Sequence, residues 1–111
     1  MTRHNDDVSM RQMLEHAREA VEMSTGRTRA DLEHDRMLQL ALTRLVEIVG
    51  EAAARVSETG REQHQCIPWY QIFGLRNRLA HGYDAIDLNI LWDIIQADLP
   101  TLIVELENIL E

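Results

Sequence analysis

The chain has 111 residues, 45% of them apolar, with five Gly, two Pro and one Cys. That length fits a single domain over residues 1–111, burying roughly two-thirds of its unfolded surface, which is enough for one core but not for a deep enclosed cavity. The formal net charge of −8 keeps such a chain soluble and opposes non-specific binding to nucleic acid, so a nucleic-acid role would need a local positive cluster.

The apolar share excludes wholesale disorder. The lone Cys66 excludes an intramolecular disulfide, and a reduced, partly buried thiol is expected. The start, Met1-Thr2-Arg3-His4-Asn5-Asp6-Asp7, has no apolar stretch of the kind a signal peptide carries, and no apolar run approaches a membrane span. The expectation is a cytoplasmic protein with no membrane contact.

In chain order, the first predicted helix runs from about Asp7 to Ser24. Met10, Met13 or Leu14, Ala17, and Ala20 or Val21 recur at helical steps. Asn5, Asp6 and Asp7 are cap candidates and Gly26 a stop. The second predicted helix spans about Ala30 to Val56, with Leu38, Leu42, Leu45, Val49, Ala52 and Val56 as its stripe. Asp31 suits its positive end. Ser57 to Gln65, polar and containing Gly60, reads as a loop.

Pro68 is expected at N1 of a short third helix carrying Trp69, Ile72, Phe73, Leu75, Leu79 and Ala80, with Gly82 as its terminating C′ residue. Asp84 to Asp87 is a turn. A fourth helix runs from Asp87 to Leu110 on Leu88, Leu91 or Trp92, Ile95, Leu99, Leu102 or Ile103, Leu106, and Ile109 or Leu110. Pro100 should kink or split it. No segment alternates with period two, so the predicted fold is all-α, an antiparallel bundle of four to five helices. Apolar stripes this wide on the second and fourth helices predict a homodimer.

Most polar clusters read as solvated surface. His4, His16 and His34 have polar neighbours; Asp31 and His34 make a single carboxylate–His pair where a di-iron bundle needs two; His64 and Cys66 alone do not make a zinc site. Met10, Met13, Met23 and Met37 are expected as core fillers. No metal and no cofactor is predicted.

The remaining constellation is Arg76-Asn77-Arg78-Leu79-Ala80-His81-Gly82-Tyr83. It gathers two guanidiniums, an amide, an imidazole and a phenol. Those types suit cleavage of RNA by attack of a ribose 2′-OH on its own phosphate. His81 titrates near pH 7 and can move protons, Arg supplies fixed charge to a phosphorane without a metal, and Asn77 can orient either. At about 100° per residue, Arg76 and His81 lie roughly 140° apart on a straight helix. They converge only if the helix loosens at Gly82 or a second subunit completes the site.

At these residues the sequence resembles the HEPN superfamily, and specifically the HepT-like toxins of MNT–HEPN toxin–antitoxin systems. The pattern is an Arg, four to six intervening residues of which the first is polar, a His, any residue and a Tyr: Arg76, Asn77, His81, Tyr83. Ile67-Pro68-Trp69, Asp87-Leu88, Leu91-Trp92 and Leu99-Pro100 extend the likeness over about residues 30–111. The resemblance implies a homodimeric, metal-independent endoribonuclease of a type VII-like system, with tRNA as target and both motif copies facing one cleft. It implies Arg76 and His81 as catalytic, with Asn77 supporting them. It also implies Tyr83 as the acceptor of AMP from a cognate nucleotidyltransferase antitoxin, with which the dimer can form a larger hetero-oligomer. RNA contact is expected from arginines near the cleft, Arg61 and Arg78. The alternative is a non-catalytic helical partner of a nucleotidyltransferase.

Overall fold

The computed structural model describes residues 2–80 and 86–111, with side chains from Asn5 onward in those ranges. The fold is all-α. In order come α1 (Thr2–Ser24), α2 (Arg29–His34), α3 (Arg36–Ala54), α4 (Glu58–Gln63), α5 (Trp69–Phe73), α6 (Leu75–Leu79), α7 (Leu88–Asp93), a π-helical turn (Ile94–Asp98) and α8 (Leu99–Leu110). The extended pairing among the described residues is one isolated antiparallel bridge, Ala80 with Ile86.

α1 packs against α3 and against the π turn and α8. The predicted stripes form this contact: Met10, Met13, Leu14, Ala17 and Ala20 of α1 are buried, as are Leu38, Leu42, Leu45, Val49 and Ala52 of α3 and Leu99, Leu102 and Leu106 of α8. These residues belong to one continuous core. Met23 only packs at its edge, and Met37 is exposed rather than a filler, because it sits one residue before Leu38, rotated off the stripe. Among the described residues, no helix is long and apolar enough to cross a membrane.

Several boundaries differ from expectation. The predicted second helix is two helices. Thr28 and Asp31 form a reciprocal capping box that starts α2. Asp35 then leaves the helix (φ −125°, ψ 96°), and its carboxylate accepts the Leu38 N–H to start α3. The Gln39 amide donates to the Leu32 and Glu33 carbonyls at 2.9 and 3.2 Å, adding to the long Asp35 N–H bond that Leu32 already accepts (3.4 Å) at the end of α2. The expected loop at 57–65 contains α4, which Ser57 caps through the Gly60 N–H at 3.0 Å.

α1 begins at Thr2, so Asp6 is inside it and is not its cap. The Asp6 carboxylate is buried and accepts from the Ser57 N–H (2.8 Å) and hydroxyl (2.6 Å). It therefore anchors the start of α4 to α1. Gly60 makes room for this contact, since a Cβ there would overlap the Asp6 carboxylate.

Pro100 does not split the last helix. The turn before it is widened: the Leu99 N–H reaches the Ile94 carbonyl five residues back. In a regular α-helix the proline ring would collide with the carbonyl four residues earlier; the wide turn displaces that carbonyl and the helix continues. Asp87 caps the start of α7 by accepting the Ile90 N–H at 3.1 Å.

Candidate functional site

The helices that carry the motif are short, and tertiary contacts hold them. Pro68 occupies the N-cap of α5 rather than N1. Trp69 and Ile72 are buried, and the indole N–H of Trp69 donates to the His64 carbonyl at 3.0 Å. Gly50 of α3 lets α5 approach: a Cβ there would lie 3.2 Å from the Ile72 carbonyl oxygen. The Arg61 guanidinium lies 5.2 Å from the Phe73 ring centroid and donates to the Val56 carbonyl at 2.8 Å. Arg61 is thus engaged with the fold through one guanidinium donor and the Phe73 ring.

The single predicted third helix breaks at Gly74, which caps α5 and opens α6 (φ −85°, ψ 2°). Within α6, Leu75 and Leu79 are buried, while Arg76, Asn77 and Arg78 are exposed. The two leucines therefore fix the helix and turn the polar triplet outward. Arg76 makes no ion pair among the described residues. Arg78 pairs with Asp98 of the π turn at 2.8 Å, so a phosphate would have to compete with that carboxylate. Both side chains are well solvated, and such a pair is weak enough to exchange.

α6 ends at Leu79, earlier than the expected stop at Gly82. Ala80 is extended (φ −65°, ψ 132°) and bridges to Ile86, and the Asp87 N–H donates to the Leu79 carbonyl at 3.1 Å. Residues 79–80 at the exit of α6 and 86–87 at the entry of α7 are thus tied together. The physical reason is that this pairing gives Leu79 and Ala80 partners that another helical turn would otherwise supply. His81, Gly82 and Tyr83 lie outside the described residues. The straight-helix separation of Arg76 and His81 no longer applies, because the chain leaves the helix before reaching His81.

Beside α6, a groove of about 160 Å³ runs between α5–α6 and the last helix, lined by Gln71, Leu75, Arg78, Asp98, Leu102 and Glu105, among others. Cys66 stands near its edge. Cys66 is exposed, not partly buried as expected, and the hydrogen-bonded Glu105 carboxylate, more than the slight desolvation there, pushes its pKa up. A thiol held protonated is a poor nucleophile. His16 is half-buried with Nδ1 2.7 Å from the Gln12 carbonyl oxygen, and His34 is exposed. Among the described residues no three His, Cys, Asp or Glu gather as a metal site would require.

Two residues near the motif escaped the sequence reading. Asp98 looked like one more solvated carboxylate, and nothing local in the sequence ties it to Arg78. Tyr70 is 89% exposed, with its ring edge-on to Phe73 at 5.9 Å and 83°. The buried spacing Trp69, Ile72, Leu75, Leu79 places Tyr70 off the core face, a signal that was available.

Compared with known proteins, residues 13–109 match the family model described as ribonuclease HepT-like. A proposed RNase of Methanocaldococcus jannaschii is 34% identical over 95 residues, 86% of this chain and 87% of the relative. A proposed ribonuclease HepT of Thermococcus cleftensis is 33% identical over 98 residues, covering 85% and 89%. A proposed RNase of Caldanaerobacter subterraneus subsp. tengcongensis is 33% identical over 91 residues, covering 82% and 81%. No solved structure gives a significant match.

Proposed function

Since the chain belongs to the ribonuclease HepT-like family, we propose that it is a metal-independent endoribonuclease whose reaction is carried by Arg76, Asn77 and His81. The observation that supports this best is the outward presentation of Arg76 and Asn77, with Arg78, by a helix whose two end residues, Leu75 and Leu79, are buried anchors. The fold spends a packed element on displaying a guanidinium and an amide next to the segment that contains His81.

In the proposed reaction a ribose 2′-OH attacks the adjacent phosphorus. The P–O2′ bond forms, the P–O5′ bond breaks, and the products are a 2′,3′-cyclic phosphate and a 5′-OH. The His81 imidazole accepts the 2′ proton. In a homodimer with both motifs on one cleft, the second His81 donates a proton to the leaving 5′ oxygen. Arg76 neutralises the charge that builds on the phosphorane, and a bidentate guanidinium does this without a metal. Asn77 orients the phosphate or the imidazole.

The chain is the toxin of a type VII-like toxin–antitoxin pair in this reading, and tRNA is its substrate. Its cognate MNT-type nucleotidyltransferase transfers AMP from ATP to the Tyr83 phenol, with pyrophosphate leaving. The added nucleotide sets a bulky anion beside the cleft and repels RNA phosphate by size and charge.

The test is cleavage of total tRNA by the full chain in excess chelator, with wild type beside Arg76→Ala and His81→Ala. Wild type should cut, and each variant should lose on the order of 100-fold or more in rate. Equal rates in all three reject the catalytic assignment, and cleavage that stops in chelator rejects the metal-free route. Mass spectrometry after co-expression with the antitoxin should find AMP on Tyr83 and none on Tyr83→Phe.

A further inference from the structure

The chain holds 19 acidic residues, yet none occurs from Gln63 to Tyr83. That run contains Arg76 and Arg78 and four of the five aromatic residues, Trp69, Tyr70, Phe73 and Tyr83. Carboxylates repel phosphate. In a chain of net charge −8, a stretch without carboxylates of its own adds no repulsion of a polyanion, and the carboxylates that face it, Asp98 at Arg78 and Glu105 at Cys66, lie on the groove side lined by Gln71 and Leu75.

Within this run Tyr70 stands out. It is 89% exposed, more than any other large apolar side chain among the described residues. The core does not use it, since Trp69 and Ile72 bury α5. Its ring is nonetheless supported: Phe73 meets it at 83°, and Arg61 packs on the Phe73 ring in turn. An aromatic face held in place and open to solvent is a stacking platform.

The surface beyond the ring fits the same use. The Gly74 N–H donates to the Tyr70 carbonyl (3.2 Å), and the Arg78 N–H donates to the Gly74 carbonyl (2.9 Å). Residues four apart on a helix lie over one another, so Tyr70, Gly74 and Arg78 make one strip, with Asn77 flanking its far end. Gly74 has φ −85°, a value any residue adopts. A Cβ there would meet nothing closer than the Tyr70 carbonyl oxygen at 3.5 Å, an ordinary contact. Neither backbone nor packing requires glycine, which disfavours helix. What glycine provides is bare surface between an aromatic ring and an amide and guanidinium.

We infer that Tyr70 is a base-stacking residue for single-stranded RNA. An unpaired nucleobase lies against its ring and over Gly74, and Asn77 and Arg78 meet a base edge or phosphate at the end of the strip. This rests on the ribonuclease reading above and adds to it a substrate class, unpaired nucleotides beside the scissile bond. Stacking accepts every base, so Tyr70 confers affinity for single strands and loops with little sequence preference, while a duplex hides the base faces.

The experiment measures fluorescence anisotropy of the full chain with a labelled 2′-O-methyl oligoadenylate, which cannot undergo 2′-OH attack, and with an abasic strand of equal length. Tyr70→Ala should weaken binding to the oligoadenylate on the order of 10-fold or more. Tyr70→Phe should stay within about twofold of wild type, since it keeps the ring. Gly74→Leu should weaken binding like Tyr70→Ala. On the abasic strand wild type and Tyr70→Ala should bind alike.

Equal affinity of Tyr70→Ala and wild type for the oligoadenylate overturns the inference. So does an equal loss on both strands accompanied by a lower mass in light scattering, which would make Tyr70 a protein contact. If Arg76→Ala abolishes cleavage while Tyr70→Ala binds and cuts as wild type, only the stacking role falls. If wild type neither binds nor cuts RNA, the ribonuclease reading falls and the stacking role with it.

Discussion

Replacing Asp6 by Ala should cost more stability than any other single polar change on α1. The carboxylate is 6% exposed and accepts two short hydrogen bonds, 2.8 Å from the Ser57 N–H and 2.6 Å from its hydroxyl. Hydrogen bonds to a charged group contribute about 1.5–3 kcal/mol each. Ser57 is only half-buried, so water can reach part of what Asp6 leaves behind, and the low end applies. The expected loss is about 2–4 kcal/mol, which for a domain of this size lowers Tm by roughly 10–15 °C. Asp6→Asn keeps an acceptor and should lose about half as much. Gly60→Ala attacks the same contact from the other side and should fall between them. Urea denaturation of the three variants at neutral pH measures this, and a cycle with Ser57→Ala should show coupling above about 1 kcal/mol. An Asp6→Ala chain within about 0.5 kcal/mol of wild type would refute the reasoning.

The Asp35 carboxylate is held below its ordinary value of 3.8, first by the Leu38 N–H and then by Arg27. A depressed native pKa means that its charge stabilises the fold above that ordinary value and that this is lost as pH falls through the native value. The Tm gap between wild type and Asp35→Asn should therefore be present at pH 6 and close on acidification below 3.8; a gap independent of pH contradicts this. Cys66 is exposed and its thiol pKa is raised by Glu105. Iodoacetamide should alkylate it without denaturant, slowly at pH 8, and Glu105→Gln should accelerate the reaction; an unchanged rate rules out the Glu105 effect.

The core was legible because periodicity and burial are the same fact seen twice. Leu42, Leu45 and Val49 repeat at helical spacing since they share a face, and they are buried since that face packs. Chain breaks were less legible. Asp35 divides two helices without disturbing the apolar period, because a cap needs one carboxylate at one position. The link from Asp6 to Ser57 spans 51 residues, and no local pattern encodes it. The π turn left a trace: Leu91, Ile95 and Leu99 step by four twice running, a drift of about 80° on an α-helix, and the widened turn absorbs it. At the candidate site, Arg76 and Asn77 lie outward as their spacing beside Leu75 and Leu79 implies. The exit of the chain at Ala80 was hidden, because its partner Ile86 lies across the motif.

The uninterrupted run from Leu88 to Leu110 acts as a beam of roughly 33 Å. One end is seated at the neck where Asp87 holds Leu79. The other rests on α1 through buried Leu99, Leu102 and Leu106, with the solvated Arg18–Glu107 pair (2.7 Å) only at the rim of that contact. Had Pro100 broken this member, the neck would hang on α6 alone, five residues resting on two leucines. As built, the neck is continuous with a helix whose far half is packed on α1 through Leu99, Leu102 and Leu106, so moving α6 also means disturbing that packing.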